Sequence, residues 1–258
     1  MRKQSAFLAR QIARFGMMTA DQLQKVCSGR CTRATVYRIL NGHALAGLID
    51  KPFIPTIPFK TITATRKLYS QVLPKHIERT SSVHERNALH ALAVTEAFIT
   101  LSRYSFVTMV ATEHELDANF LKQFCYSKTP DGLIQISNGN ETFELAVEVE
   151  WSQKNETLMN EFIDKYRATF MKEMICAGLL LVTKNQAMFD AYQGKIKELP
   201  TELEKRILVV KFDDLKTLDS RYFGTLMDHP GESLSRTATV SQGRISAEPL
   251  FYKDFCSV

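Results

Sequence analysis

No apolar run in this 258-residue chain approaches the length of a membrane-spanning helix, so helical insertion into a bilayer is not expected. The N-terminal stretch places Arg2, Lys3, Arg10 and Arg14 at helical spacing. It lacks the uninterrupted apolar segment of a secretory signal, which predicts a cytoplasmic protein. Cysteine is sparse and scattered: Cys27, Cys31, Cys125, Cys176 and Cys256 are odd in number. Only the first two lie close together, and no second pair completes a zinc site, so free thiols in a reducing compartment follow. Internal repeats and low-complexity tracts are missing. Acidic residues are nearly missing from the first third. Residues 1–83 hold 14 Lys and Arg against 3 Asp and Glu, net +11, whereas the remainder holds 19 against 25, net −6. A basic module on an acidic body points to a polyanion as partner.

With 45% hydrophobic and 24% charged residues, the chain has the makings of a packed core. Leu8, Ile12 and Phe15 mark one face of a helix over Ser5–Phe15. Thr19 and Gln22 form a capping-box pattern ahead of a second short helix carrying Leu23 and Val26. Ser28-Gly29-Arg30 makes a turn. A third helix opens at Thr32 or Arg33, turns Val36, Leu40 and Leu45 inward, and ends at Gly47. Pro52, Pro55 and Pro58 suit a wing loop, and Thr61 to Leu68 a returning strand. That order is the order of a winged helix-turn-helix. In it, Arg30, Arg33, Thr35, Tyr37 and Arg38 face a DNA groove, and Lys60, Arg66 and Lys67 lie along phosphates. The same layout also serves helical protein-binding adaptors; the +11 charge favours nucleic acid.

The acidic body is organised around Glu113 to Asn155. Glu113-His114-Glu115-Leu116-Asp117 comes first, then Pro130-Asp131-Gly132, then Glu148-Val149-Glu150. Asn138-Gly139 predicts a hairpin turn. Thr142 to Glu150 alternates, with Phe143, Leu145, Val147 and Val149 on one face and Glu144, Ala146, Glu148 and Glu150 on the other. A two-residue loop would set Ile134 opposite Phe143 and Asp131 opposite Ala146, diagonal to Glu148. A lone strand with two glutamates on one face is ordinarily just solvated. Three carboxylates converging on one face call instead for a hard divalent cation, Mg²⁺ or Mn²⁺.

Around this stretch, a helix over His84 to Tyr104 is expected to link the modules and pack on the second. Strands follow at Phe106–Ala111, Gly178–Val182 and Ile207–Phe212, with helices at Asn155–Ala177 and Gln186–Leu199. The fold class predicted is α/β (α+β): a mixed sheet flanked by helices. The divisions expected are 1–80 for the DNA-binding module, 81–227 for the acidic domain with its leading helix, and 228–258 for a polar tail.

The sequence Pro130-Asp131, a hairpin, then Glu148-x-Glu150 resembles the metal site of the PD-(D/E)XK nuclease superfamily, with its restriction-endonuclease-like fold. The whole layout is similar to the replication-relaxation family and, more narrowly, to MobC-type plasmid relaxases. The resemblance covers most of residues 5–212 and includes His114-Glu115 and the helix from His84 to Phe98. It implies a sequence-specific, metal-dependent nick in supercoiled plasmid DNA at an origin of transfer during conjugative mobilisation, with an accessory relaxosome protein and a coupling protein as partners. It assigns Asp131, Glu148, Glu150 and Glu115 to Mg²⁺ or Mn²⁺. Where the superfamily has Lys two residues after the strand acid, this chain has Glu150. The resemblance moves that cation to Lys165 or, as the lesser candidate, Lys154. Tyrosine relaxases use clustered histidines, whereas the six histidines here are scattered. The alternatives are a non-catalytic replication initiator or regulator with a degenerate nuclease-like body, and a restriction or transposition endonuclease subunit.

Overall fold

The computed structural model describes residues 3–52, 54, 57–58, 60–72, 85–116, 126–137, 142–170 and 176–223. The expected polar tail, His84 and the Asn138-Gly139 turn lie outside them. Contacts divide the chain into two units, at Ile99 and Thr100.

The first unit runs α1 (Lys3–Phe15), β1 (Met17–Thr19), α2 (Ala20–Val26), α3 (Arg33–Leu45), β2 (Ile49–Asp50), β3 (Thr61–Ala64), α4 (Arg66–Val72) and most of α5 (Glu85–Leu101). α1 buries Leu8, Ile12 and Phe15, the stripe its spacing predicts. Gly16, at φ 70°, then turns the chain into β1. Thr19 and Gln22 form the reciprocal capping box: Gln22 N donates to Thr19 Oγ1 at 3.1 Å and Thr19 N to Gln22 Oε1 at 2.9 Å. Thr32 caps α3, its side chain accepting from Thr35 N, and Gly47, at φ 67°, follows the helix end. The three strands form an antiparallel sheet in the order β1-β3-β2, with Met17 opposite Thr63 and Ile49 opposite Ala64.

Two expectations change here. The strand predicted over Thr61–Leu68 stops at Ala64. Thr65 Oγ1 accepts from Leu68 N at 3.3 Å, and Leu68 and Tyr69 are buried, so capping and an apolar pair nucleate α4 instead. Arg66 and Lys67 therefore sit on a helix. The long helix, expected to pack on the second module, packs on the first. Thr95 Oγ1 donates to Met17 O at 2.8 Å, Gln22 Nε2 donates to Leu92 O at 2.9 Å, and Lys25 pairs with Glu96 at 2.5 Å. Ala88 and Leu92 share a buried cluster with Met17, Ile54 and Ile57, so described residues of the proline-rich segment are held in place too.

The second unit is mixed α and β. β4 (Val107–Thr112), a 3-10 turn (Glu113–Glu115), β5 (Gly132–Ser137), β6 (Thr142–Glu150), α6 (Glu156–Phe170), β7 (Cys176–Thr183), α7 (Gln186–Lys197), α8 (Thr201–Glu204) and β8 (Ile207–Lys211) follow in order. The five-stranded sheet has the order β4-β5-β6-β7-β8. β4, β5 and β6 meander antiparallel; β6, β7 and β8 are parallel, with α6 and α7 in the crossovers. Met159, Phe162, Ile163, Tyr166 and Phe170 of α6 and Tyr192 and Ile196 of α7 pack with Leu133, Ala146, Leu179, Leu181 and Val209 of the sheet.

The hairpin register differs from the expected one by two residues. Ser137 pairs with Thr142, Ile134 with Leu145 and Gly132 with Val147. A two-residue shift keeps every side chain on its face, so the apolar alternation holds. Four residues, not two, separate the paired ends. The acidic face is also not a solvated one: Glu144, Glu148 and Glu150 are 8%, 2% and 5% exposed.

Candidate active site and nucleic-acid face

Three side chains were drawn together by the sequence pattern: Asp131, Glu148 and Glu150. Asp131 immediately precedes β5, and continuing the observed register places it beside Glu148 rather than Ala146. Its Oδ2 accepts from Val149 N at 2.8 Å, and its carbonyl accepts from Glu113 N at 2.7 Å. The acid is thus pinned between β6 and the turn after β4. Glu148 lies beneath α6, where Tyr166 Oη donates to its Oε1 at 2.5 Å. Burial, and then the negative charge of Asp131, push the Glu148 carboxyl up to about 7; Lys128 and Tyr166 pull the other way.

Two lysines supply counter-charge. Lys128 pairs with Glu148 Oε2, and Lys154, in the loop after β6, pairs with Glu150 Oε1. Both ammonium groups lie against the Phe162 ring, 5.2 and 5.1 Å from its centroid. The loop bearing Lys128 is tied to α6 by Ser127 N, which donates to Thr169 Oγ1 at 3.1 Å. Tyr192 Oη is buried with no hydrogen-bond partner among the described residues. Burial and the nearby charges of Glu150 and Glu148 raise its pKa. Glu144, one pleat pair back on the same face, accepts from Tyr126 Oη at 3.1 Å, and burial raises its pKa.

The remaining assigned residues stand differently. Glu115 folds back on its own turn, its Oε2 accepting from Thr112 N at 2.9 Å. Lys165 is exposed on α6, while its neighbour Tyr166 faces inward, so the helix directs the lysine away from the buried carboxylates. The cations that reach the acids are Lys154, the lesser candidate from sequence, and Lys128, which sequence reasoning passed over. Its signal was position: it lies three residues before Asp131, in a segment that had to run alongside the hairpin. Tyr166 also carries a signal: a buried phenol needs a partner, and the facing strand offers carboxylates.

Among the described residues no group of three His, Cys, Asp or Glu side chains stands together as a metal site. The donor chemistry nonetheless fits a hard ion. Asp131 and Glu148 form a close pair of oxygen donors. Mg²⁺ is commonly held by one or two carboxylates with water completing its shell. Tyr192 Oη, near Glu148 and without a hydrogen-bond partner among the described residues, is a group that such a water would satisfy.

On the first unit, Arg33, Tyr37 and Arg38 are exposed on α3, and Lys60, Arg66 and Lys67 are exposed beyond it. Arg33 pairs with Asp21 at 3.3 Å and lies 5.8 Å from the Tyr37 ring centroid. Thr35 and Arg30 are half-buried: Thr35 lies in the Thr32 cap at 3.0 Å, and Arg30 stacks on Phe7 at 4.8 Å. Lys67 Nζ donates to Ala46 O at 2.8 Å.

No family model and no curated protein matches the chain. A structure of restriction endonuclease FokI bound to DNA aligns over 88% of this chain and 44% of its own, at 11% identity and a TM-score of 0.26. The chain thus spans less than half of that protein's length, and so low a score carries no fold assignment.

Proposed function

We propose that this protein is a metal-dependent DNA nicking enzyme: a relaxase that acts at a plasmid origin of transfer, with a winged-helix module on a PD-(D/E)XK-like body. The observation that carries the reading is the buried Asp131–Glu148 pair at the foot of the hairpin, with two lysines reaching the same acidic face. A five-stranded mixed sheet flanked by helices is consistent with the fold that the motif resemblance implies. The +11 charge of residues 1–83 supplies the polyanion-binding module.

In this reading Asp131 and Glu148 hold Mg²⁺ or Mn²⁺. When bound, the ion polarises the phosphoryl oxygen and makes its water more acidic. The chain's residues prepare that site. Val149 N fixes Asp131, Tyr166 orients Glu148, and burial keeps both acids out of bulk water. Lys128 and Lys154, freed from the acids they neutralise, stand at the right place to meet the charge of a phosphate. They take the cation role first given to Lys165. Glu150 holds Lys154, and Glu115 shapes the adjoining turn. Plasmid DNA, an accessory relaxosome protein and a coupling protein are the partners proposed.

A second reading is favoured by one observation. Lys128 and Lys154 already neutralise Glu148 and Glu150, which is also how a non-catalytic body of a replication initiator or regulator would settle its buried acids. Incubation of supercoiled plasmid carrying an origin of transfer with Mg²⁺ or Mn²⁺ separates the two. Open circles that disappear with chelator and with Asp131→Asn support the enzyme. DNA binding without cleavage supports the regulator.

A further inference from the structure

The three parallel strands end in step. Glu150 pairs with Thr183, and Thr183 with Lys211. The next residue of each strand is Trp151, Lys184 and Phe212, so the register aligns these three in one row at the carboxyl ends of the strands. Lys184 N donates to Glu150 O at 3.1 Å, which carries the ladder one step past the strands and fixes the row to the acid-bearing strand. The Trp151 and Phe212 rings meet edge to face at 5.3 Å, and the Lys184 ammonium lies 5.2 Å from the Trp151 ring centroid.

The row is accessible. Trp151 and Phe212 are half-buried and Lys184 is exposed. A large aromatic braced by a second ring, with a cation over it, is an arrangement that takes an unpaired base. The base stacks on the indole, and the displaced ammonium moves to the neighbouring phosphate. The carboxyl ends of parallel strands are also where open α/β sheets bind ligands. None of the roles assigned above uses these three residues.

We propose that Trp151, Phe212 and Lys184 form a stacking site for one unpaired nucleobase of single-stranded DNA, one residue past Glu150 on the acid-bearing strand. As a site for the nucleotide flanking a cut phosphate it rests on the nicking reading; as a base-binding site it stands alone. Trp151 is the only tryptophan in the chain, so its emission reports this site and not the basic first unit.

The test titrates the full-length protein, in chelator, with a thymidine oligonucleotide of about eight residues. Saturable quenching of Trp151 emission is the result expected. By anisotropy of a labelled oligonucleotide, Trp151→Ala should weaken binding about ten-fold. Lys184→Ala, at an exposed position, should weaken it several-fold and lessen its salt dependence. An oligonucleotide that binds by anisotropy with unchanged Trp151 emission overturns the proposal. So does unchanged affinity in Lys184→Ala, which keeps the proposal falsifiable if Trp151→Ala fails to fold. Nicking without quenching would sink this inference alone. Quenching without nicking would leave it standing and sink the enzyme reading.

Discussion

Glu148 should make the second unit less stable as the pH rises, and Glu148→Gln should remove that dependence. In the folded protein, burial beneath α6 and the charge of Asp131 lift the carboxyl from its ordinary 4.5 to about 7. The folded state therefore binds a proton that the unfolded chain gives up between those values. The stability from the protonated form is fully present below about pH 4.5. It is lost progressively as the pH rises to about 7, where the folded form ionises too. A displacement of that size corresponds to about 3 kcal/mol. Glutamine keeps an oxygen for the Tyr166 hydroxyl and cannot ionise. Its advantage over wild type should thus grow by about 2–3 kcal/mol between pH 5 and pH 8, or roughly 5–10 °C in the melting of this unit. Urea melts of both proteins at pH 5, 6, 7 and 8, in chelator, measure it. Parallel stability profiles for the two would refute the reasoning, because they would mean that Glu148 is ionised throughout.

Lys128→Ala should destabilise the protein by about 1–3 kcal/mol at pH 8, less than for a fully buried pair because Lys128 is 33% exposed; the loss should shrink below pH 6 in the same melts. Lys165→Ala should change neither melting nor nicking, as its side chain is exposed on α6, whereas Lys154→Ala should impair nicking. Thr19→Ala should cost about 1 kcal/mol in a denaturant melt, through the lost cap on α2. Arg38→Ala should weaken DNA binding in a gel shift and reduce the slope of log affinity against log salt by about 0.9 if one phosphate contact is lost.

The first three helices, α1 to α3, were legible because their signals are local: Thr19 with Gln22, Thr32 and Gly47 each act within one turn, although Leu45, expected to face inward on α3, is exposed. The meander and crossover helices were legible from two periods, strict alternation in β6 and the Phe162, Tyr166, Phe170 spacing in α6, though Leu158, at the same spacing, is exposed. What escaped was non-local. The length of the hairpin loop is not set by Asn138-Gly139 alone, and the two-residue shift preserved the faces while changing who stands beside Asp131. The partner of α5 is decided by which surface its Ala88, Leu92 and Thr95 stripe meets, and a sequence stripe names no surface. The choice of Lys128 over Lys165 turns on helix phase. Tyr166 faces the sheet, so Lys165, one residue earlier and about 100° around the helix, cannot share its direction. The row formed by Trp151, Lys184 and Phe212 depends on the registers of three strands at once, and no single stretch of sequence contains it.

In the proposed function, the Asp131–Glu148 pair holds a metal ion that cuts DNA. The most direct measurement is conversion of supercoiled plasmid to open circles by wild type and Asp131→Asn, in Mg²⁺, Mn²⁺ and chelator, with a gel shift and a melt on each protein. Wild type should nick in metal only. Asp131→Asn should not nick, yet should still melt cooperatively and still bind DNA through the basic first unit. Full nicking by Asp131→Asn, or no cleavage by wild type in either metal, would contradict it.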